Sequence, residues 1–217
     1  MTKMIEEFKT YLEQSKKNSS AESLKKMEMA IHDLEESEEG KGLETGDQVP
    51  DFILPDASGN QISIANILKE GPAVITFYRG GWCPYCNMEL RAYQSIIDEF
   101  HEAGVQLVAI SPEKPDASLD TKEKNELSFH VLSDEGNETA RAFNLVYQLP
   151  EYLIDVYKEK GLDIPGANGD DSWTLPVSAT YIADQSGNIV YAYTKADYKD
   201  RIEPAEVLEK VKQLIHQ

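Results

Sequence analysis

Three features of the sequence predict an α/β fold with an N-terminal helical extension. Residues 1–40 are charged and carry apolar side chains at helical spacing. Two continuous apolar runs follow, AVITFY (Ala73 to Tyr78) and VQLVAI (Val105 to Ile110), which suit buried strands. Between them Cys86, Leu90, Tyr93, Ile97 and Phe100 fall at i, i+4, i+7, i+11 and i+14, one buried helical stripe. A strand, a helix and a second strand in that order make a βαβ unit with parallel strands.

The elements read in order as follows. Ile5, Phe8 and Leu12 lie on one helix face, and Leu24, Met27, Ile31 and Leu34 on another. Asn18-Ser19-Ser20 separates the two helices, with Ser20 and Ser23 as caps. This arm packs either on its own domain or against a second copy of the chain, as a homodimer contact. GKGLETGDQVPDF reads as a linker, which sets residues 1–42 apart as the arm and 43–217 as the domain. Asp51 to Leu54 and Gln61 to Ile64 form a hairpin around Ala57-Ser58-Gly59-Asn60. After the βαβ unit come a short strand at His130 to Leu132 and a short helix at Glu138 to Phe143. Pro150 to Lys158 is a further helix, and GLDIPGANGDDSW a loop. Ala179 to Ala183 and Ile189 to Tyr193 flank Asp184-Gln185-Ser186-Gly187-Asn188 as a hairpin. A last helix starts at Pro204 and turns Val207, Val211 and Leu214 inward.

Composition narrows the function. The chain has 217 residues and a net charge of -18, so its surface repels phosphate backbones and anionic membranes. Nucleic acid and membrane are therefore not expected partners. The opening MTKMIEEF lacks the apolar stretch of a secretory signal. No apolar run approaches the roughly 18 residues that span a bilayer. A cytoplasmic location is expected, and in that reducing compartment a lone cysteine pair is more often catalytic or metal-binding than a structural staple.

The only two cysteines lie in RGGWCPYCNMEL, Arg79 to Leu90. Pro84 suits the first helical position, which makes Cys83 the N-cap and Cys86 the third helical residue. Free backbone N–H groups and the positive end of the helix dipole then favour thiolate, so at least one sulfur should have a lowered pKa. Two inert thiols are the bland alternative, but a strand-to-helix junction exposes the helix start. A metal site needs about four ligands. The chain has no second cysteine pair, and His32, His101, His130 and His216 are scattered, so neither metal nor cofactor is expected. Asp134, Glu135, Asp170 and Asp171 lack ligand alternation and read as solvated loops. Dithiol–disulfide exchange is the expected chemistry. Gly80 and Gly81 are expected to allow a close backbone approach or a positive φ.

These residues carry a resemblance. A strand followed by W-C-x-x-C resembles the thioredoxin superfamily, and CPYC matches dithiol glutaredoxins. The larger match is to the peroxiredoxin-like AhpC/TSA proteins. It runs through GDQVPDFILPDASGNQISI, FYRGGWCPYCNMEL, VQLVAISPE, HVLSDEGNETARAFNL and LPVSATYIADQSGNIVYAYTKADYKDRIEPAEVL, roughly residues 45 to 215. The resemblance implies a thioredoxin-like fold, a central mixed sheet flanked by helices. It also implies a thiol peroxidase that reduces hydroperoxides and is restored by a thioredoxin-like donor. By position Cys86 matches the peroxidatic cysteine, Cys83 would resolve it, and Glu89 matches a glutamate common in that helix. Cys83 stands where the family has Thr or Ser, Arg79 where it has proline, and Ser178 where it has a later arginine. Arg79 becomes the candidate to stabilise thiolate and peroxide oxygens, and Trp82 the candidate wall of the site. The alternatives are a thioredoxin-type disulfide reductase with Cys83 attacking first, and a non-catalytic redox sensor that engages a partner through the arm.

Overall fold

The computed structural model describes residues 4–215; the side chain of Leu214, expected to face inward, lies outside the described part. The arm forms α1 (Met4–Asn18) and α2 (Ala21–Glu36). Ser20 caps α2 by accepting from the Ser23 amide at 3.1 Å, which explains why the chain breaks there. An antiparallel hairpin follows, β1 (Ile53–Pro55) with β2 (Gln61–Ser63), closed by Asp56, which accepts from the Ser58 and Asn60 amides. Then come α3 (Ile64–Glu70), β3 (Ala73–Phe77), α4 (Pro84–Gln94), α5 (Ile97–Glu102) and β4 (Gln106–Ser111). The second half runs α6 (Pro115–Lys124), β5 (His130–Ser133), a 3-10 turn (Glu135–Asn137) and α7 (Glu138–Ala142). It continues through β6 (Val146–Gln148), α8 (Glu151–Glu159), α9 (Ile164–Asn168), β7 (Thr174–Pro176), β8 (Ala179–Ala183), β9 (Ile189–Thr194) and α10 (Pro204–Ile215).

The central sheet has the order β5-β4-β3-β8-β9. β3, β4 and β5 are parallel, and β8 and β9 add antiparallel on the other side of β3, so the sheet is mixed as expected. All five residues of β3 are buried, which is why that strand reads as one unbroken apolar run. Its side chains alternate between two cores. Ile75 and Phe77 face a layer that holds α2, α3 and α8. Val74 and Tyr78 face a layer that holds α1, α4 and α10. The arm thus contributes to both faces. Met4 and Phe8 are buried beside α4, and Ala30 and Leu34 beside α8. Its apolar stripes are used on its own domain.

Several elements differ from the sequence reading. The helix expected from Cys86 through Phe100 breaks at Ser95 and Ile96, although its buried stripe continues across the break. The Ser95 hydroxyl donates to the Ala92 carbonyl at 2.7 Å, and Ile96 leaves helical geometry at φ −129°. A serine bonding its own helix in this way competes with the backbone ladder. The loop GLDIPGANGDDSW contains α9, capped by Asp163 accepting from the Gly166 amide. Among the described residues no helix is long and apolar enough to cross a membrane.

Candidate active site

The site lies where β3 ends and α4 begins. Cys83 is the N-cap of α4 and Pro84 its first residue, which puts Cys86 in the first turn. The turn before it needs both glycines. Gly80 has φ +146°, and a side chain there would strike the Trp82 indole at 2.3 Å. A side chain on Gly81 would meet the Thr121 hydroxyl at 2.0 Å. The Gly81 amide donates to Glu113 Oε2 at 2.9 Å. Asn87 Nδ2 donates to the carbonyls of Gly81, at 2.6 Å, and Cys83, at 3.0 Å. Asn125 donates in turn to Asn87 Oδ1 at 2.7 Å. The C-x-x-C turn is therefore fixed by side chains from α4, α6 and the end of β4.

Both cysteines are free thiols and both are buried, at 1% exposure for Cys83 and 0% for Cys86. They share a hydrogen bond and behave as one unit. Burial alone would raise the Cys83 pKa. The bond from Cys86 and the charges of Arg79 and Arg201 outweigh it and bring Cys83 down to about 6. Burial pushes Cys86 well up, and the Cys83 partner adds to that. The pair thus gives up one proton easily and holds the second. The surroundings thus favour thiolate at Cys83 and thiol at Cys86.

Two buried guanidiniums flank the pair. Arg201 Nη2 lies 3.8 Å from Cys86 Sγ and donates to the Ser178 hydroxyl at 2.6 Å, while its Nη1 is paired with Glu89. Burial works against the Arg201 charge, but Glu89 and both sulfurs hold it protonated. Glu89 itself is pushed up by burial to about 7, against the pull of Arg201. Arg79 sits on the other side. Its guanidinium carbon lies 4.9 Å from the Trp82 ring centroid, 5.6 Å from that of Tyr157 and 4.4 Å from that of Tyr198. Its Nη2 donates to the Tyr157 hydroxyl at 2.5 Å. Its Nε has no partner among the described residues.

The residues singled out from the sequence (Arg79, Trp82, Cys83, Cys86, Glu89 and Ser178) all meet here. One expectation changes. Ser178 in the place of the family's arginine made Arg79 the candidate to replace it. The structure instead brings Arg201 from the loop before α10 to bond Ser178 and lie beside Cys86, while Arg79 lies on the Cys83 side. The sequence carried a signal for this. Glu89 falls on the buried face of α4, and a buried carboxylate needs a cation. Asp134 is explained separately, since it accepts from the Thr139 and Ala140 amides and caps α7. Asp170 accepts from Ser172 within its own turn.

A cavity of about 310 Å³ opens above Cys83. Its floor includes Arg79, Cys83 and Tyr198, and its roof is the arm, with Tyr11 and Leu12 from α1 and Leu24 and Met27 from α2. Trp82 and Tyr157 form a wall. Cys86 does not line it.

Residues 45–192 match the AhpC/TSA family. A putative peroxiredoxin of Mycobacterium tuberculosis is 28% identical over 150 residues, which cover 69% of this chain and 84% of that protein. The chloroplastic peroxiredoxin Q of Oryza sativa subsp. japonica is 28% identical over 148 residues, 68% of this chain and 58% of the relative. Peroxiredoxin Bcp of Escherichia coli is 33% identical over 104 residues, 48% of this chain and 65% of the relative. Among solved structures, peroxidoxin BcpB from Mycobacterium tuberculosis superposes with a TM-score of 0.63 at 21% identity, over 79% of this chain and 98% of that one. The likeness to that structure is one of fold.

Proposed function

The chain belongs to the AhpC/TSA family and has its thioredoxin-like fold, and from that premise we propose that it is a thiol peroxidase that reduces hydroperoxides through a Cys83–Cys86 dithiol/disulfide cycle. One observation carries the reading: Cys83, the sulfur whose pKa its surroundings lower, lines a small cavity together with Arg79, whose Nε is a free donor. A peroxide fits there. The disulfide of a folded protein would have to displace the arm, because Cys83 is 1% exposed.

In this reading Cys83 thiolate attacks one peroxide oxygen and the O–O bond breaks. Arg79 holds the developing oxyanion. Cys83 becomes a sulfenic acid, and the departing alkoxide takes the proton from Cys86 and leaves as alcohol. Cys86 thiolate then attacks the Cys83 sulfur, forms the disulfide and expels hydroxide, which is protonated to water. A thioredoxin-like dithiol donor returns two electrons and restores both thiols. Such a cycle belongs in a reducing compartment, so cytoplasmic residence is part of the proposal. The proposal keeps residues 1–42 as an arm and residues 43–217 as the domain, with α1 and α2 of the arm over the cavity.

A second order of attack has its own support. Position in the family assigns the first strike to Cys86, with Cys83 resolving, and Arg201 lies 3.8 Å from the Cys86 sulfur. Access and acidity favour Cys83. The test is peroxide consumption coupled to thioredoxin, thioredoxin reductase and NADPH in wild type, Cys83→Ser and Cys86→Ser, with dimedone to trap sulfenic acid. We expect turnover in wild type and a dimedone adduct in Cys86→Ser. An adduct only in Cys83→Ser would assign the first strike to Cys86. Reduction of insulin disulfides through Cys83 without any peroxide turnover would replace the peroxidase by a disulfide reductase.

A further inference from the structure

We propose that the arm is the specificity element of this site, and that its roof selects an organic hydroperoxide with a compact apolar body over hydrogen peroxide. The inference rests on the peroxidase reading and names its substrate class. The matched family segment starts at residue 45, so both roof helices lie outside it. They nevertheless face the sulfur. Leu12, Leu24 and Met27 project over a cavity whose floor is Cys83 and Arg79.

The lining sorts its ligand by chemistry. Leu12, Leu24, Met27 and Leu162 offer only hydrocarbon or thioether surface, and the Trp82, Tyr157 and Tyr198 rings offer their faces. At the floor the chemistry is polar and charged. A hydroperoxide with an apolar body would place its O–O end between Cys83 and the free Nε of Arg79 and its body under the arm. Hydrogen peroxide would use only the floor, and water would still fill the apolar remainder. Lys16, Lys160, Lys199 and Glu28 also line the cavity; Lys160 donates to Ser19 at 3.0 Å, and Lys199 is paired with Asp197 at 2.7 Å. At about 310 Å³ there is room for a branched or aromatic group of modest size.

The arm is held firmly enough to act as a wall. Phe8 and Tyr11 stack edge-on against Tyr85, with ring centroids at 5.1 and 5.4 Å. Tyr85 also packs on Tyr198 at 5.6 Å. Asp33 on α2 accepts from the Tyr152 hydroxyl on α8 at 2.5 Å. α1 is thereby tied to α4, α2 to α8, and the cavity lies between them.

The experiment compares kcat/KM for cumene hydroperoxide and hydrogen peroxide in full-length wild type, Leu24→Trp and Leu12→Phe, with folding checked by circular dichroism. Both substitutions fill the cavity, each from a different helix. Wild type should prefer cumene hydroperoxide by roughly tenfold or more, and each variant should lower that preference by roughly tenfold, the range expected when a hydrophobic pocket loses its fit. Equal constants in wild type, or an unchanged ratio in a folded variant, overturns the inference and leaves the peroxidase reading in place. No turnover of either peroxide by wild type overturns both.

Discussion

Arg79 and Arg201 stand on opposite sides of one shared proton, and each has a different neighbour to satisfy. Arg79 is surrounded by aromatic faces and a tyrosine hydroxyl, with no carboxylate paired to it among the described residues, so its charge acts on Cys83 undiminished. Replacing it with the apolar Arg79→Met should raise the Cys83 pKa from about 6 by on the order of 1–2 pH units. The sign is checked by alkylation with iodoacetamide. In wild type the rate should rise with pH through about 6; in the variant the midpoint should move upward, so the loss of rate is larger at pH 6 than at pH 9. An unmoved midpoint would mean that the helix start and the Cys86 bond alone ionise Cys83. Arg201 differs because Glu89 depends on it. Their side chains are 3% and 1% exposed. Arg201→Met should therefore destabilise the fold by about 3–5 kcal/mol, the usual penalty for leaving one member of a buried pair. Adding Glu89→Gln should restore much of it, which denaturant unfolding of the single and double variants measures.

The helices of the arm make the same point at the next scale, because their value depends on what they cover. Phe8 is 4% exposed and meets the Tyr85 ring, so Phe8→Ala should cost about 3–5 kcal/mol if α1 is part of the cooperative fold. It should also speed alkylation of Cys83 by a neutral reagent, since the roof loosens. A loss below 1 kcal/mol with no change in alkylation would make α1 an ornament on the site. Elements like these were legible in the sequence because their buried faces are apolar. Phe8, Leu34 and the stripe on α4 leave a periodic trace, and the all-buried β3 leaves an unbroken apolar run. α6 leaves none. Its buried residues are Ser118 and Thr121, and the Ser118 hydroxyl shares a hydrogen bond with Ser133 at 2.8 Å. A helix that packs through polar groups has no hydrophobic period to read. β6 and β7 have three residues each and pair across α8 and α9, too short for alternation to register. Arg201 lies in a segment that carries the family resemblance, but its role was not legible for a related reason. It sits in a loop, and its contacts with Glu89, Cys86 and Ser178, all distant in sequence, reveal that it belongs to the site.

Across the whole molecule, a second consequence of burying acids appears in the pH dependence of stability. The chain carries 39 acidic residues against 21 basic ones, and most of the described acids are at least partly exposed. Glu113 is not. Burial raises its pKa from 4.5 to about 7, although the Gly81 amide and the Thr121 hydroxyl favour its charged form. Between those two values the native state holds a proton that the unfolded chain has released. Stability is then highest at and below pH 4.5 as far as this group is concerned, and falls as pH rises through about 7. At 1.36 kcal/mol per pH unit the gap corresponds to at most about 3 kcal/mol. Glu113→Gln keeps an oxygen for the Gly81 amide and cannot ionise. Reduced wild type and variant should unfold at the same urea concentration near pH 4.5, and the variant should need more urea at pH 8. Parallel curves at every pH would show that Glu113 is solvated in the native state.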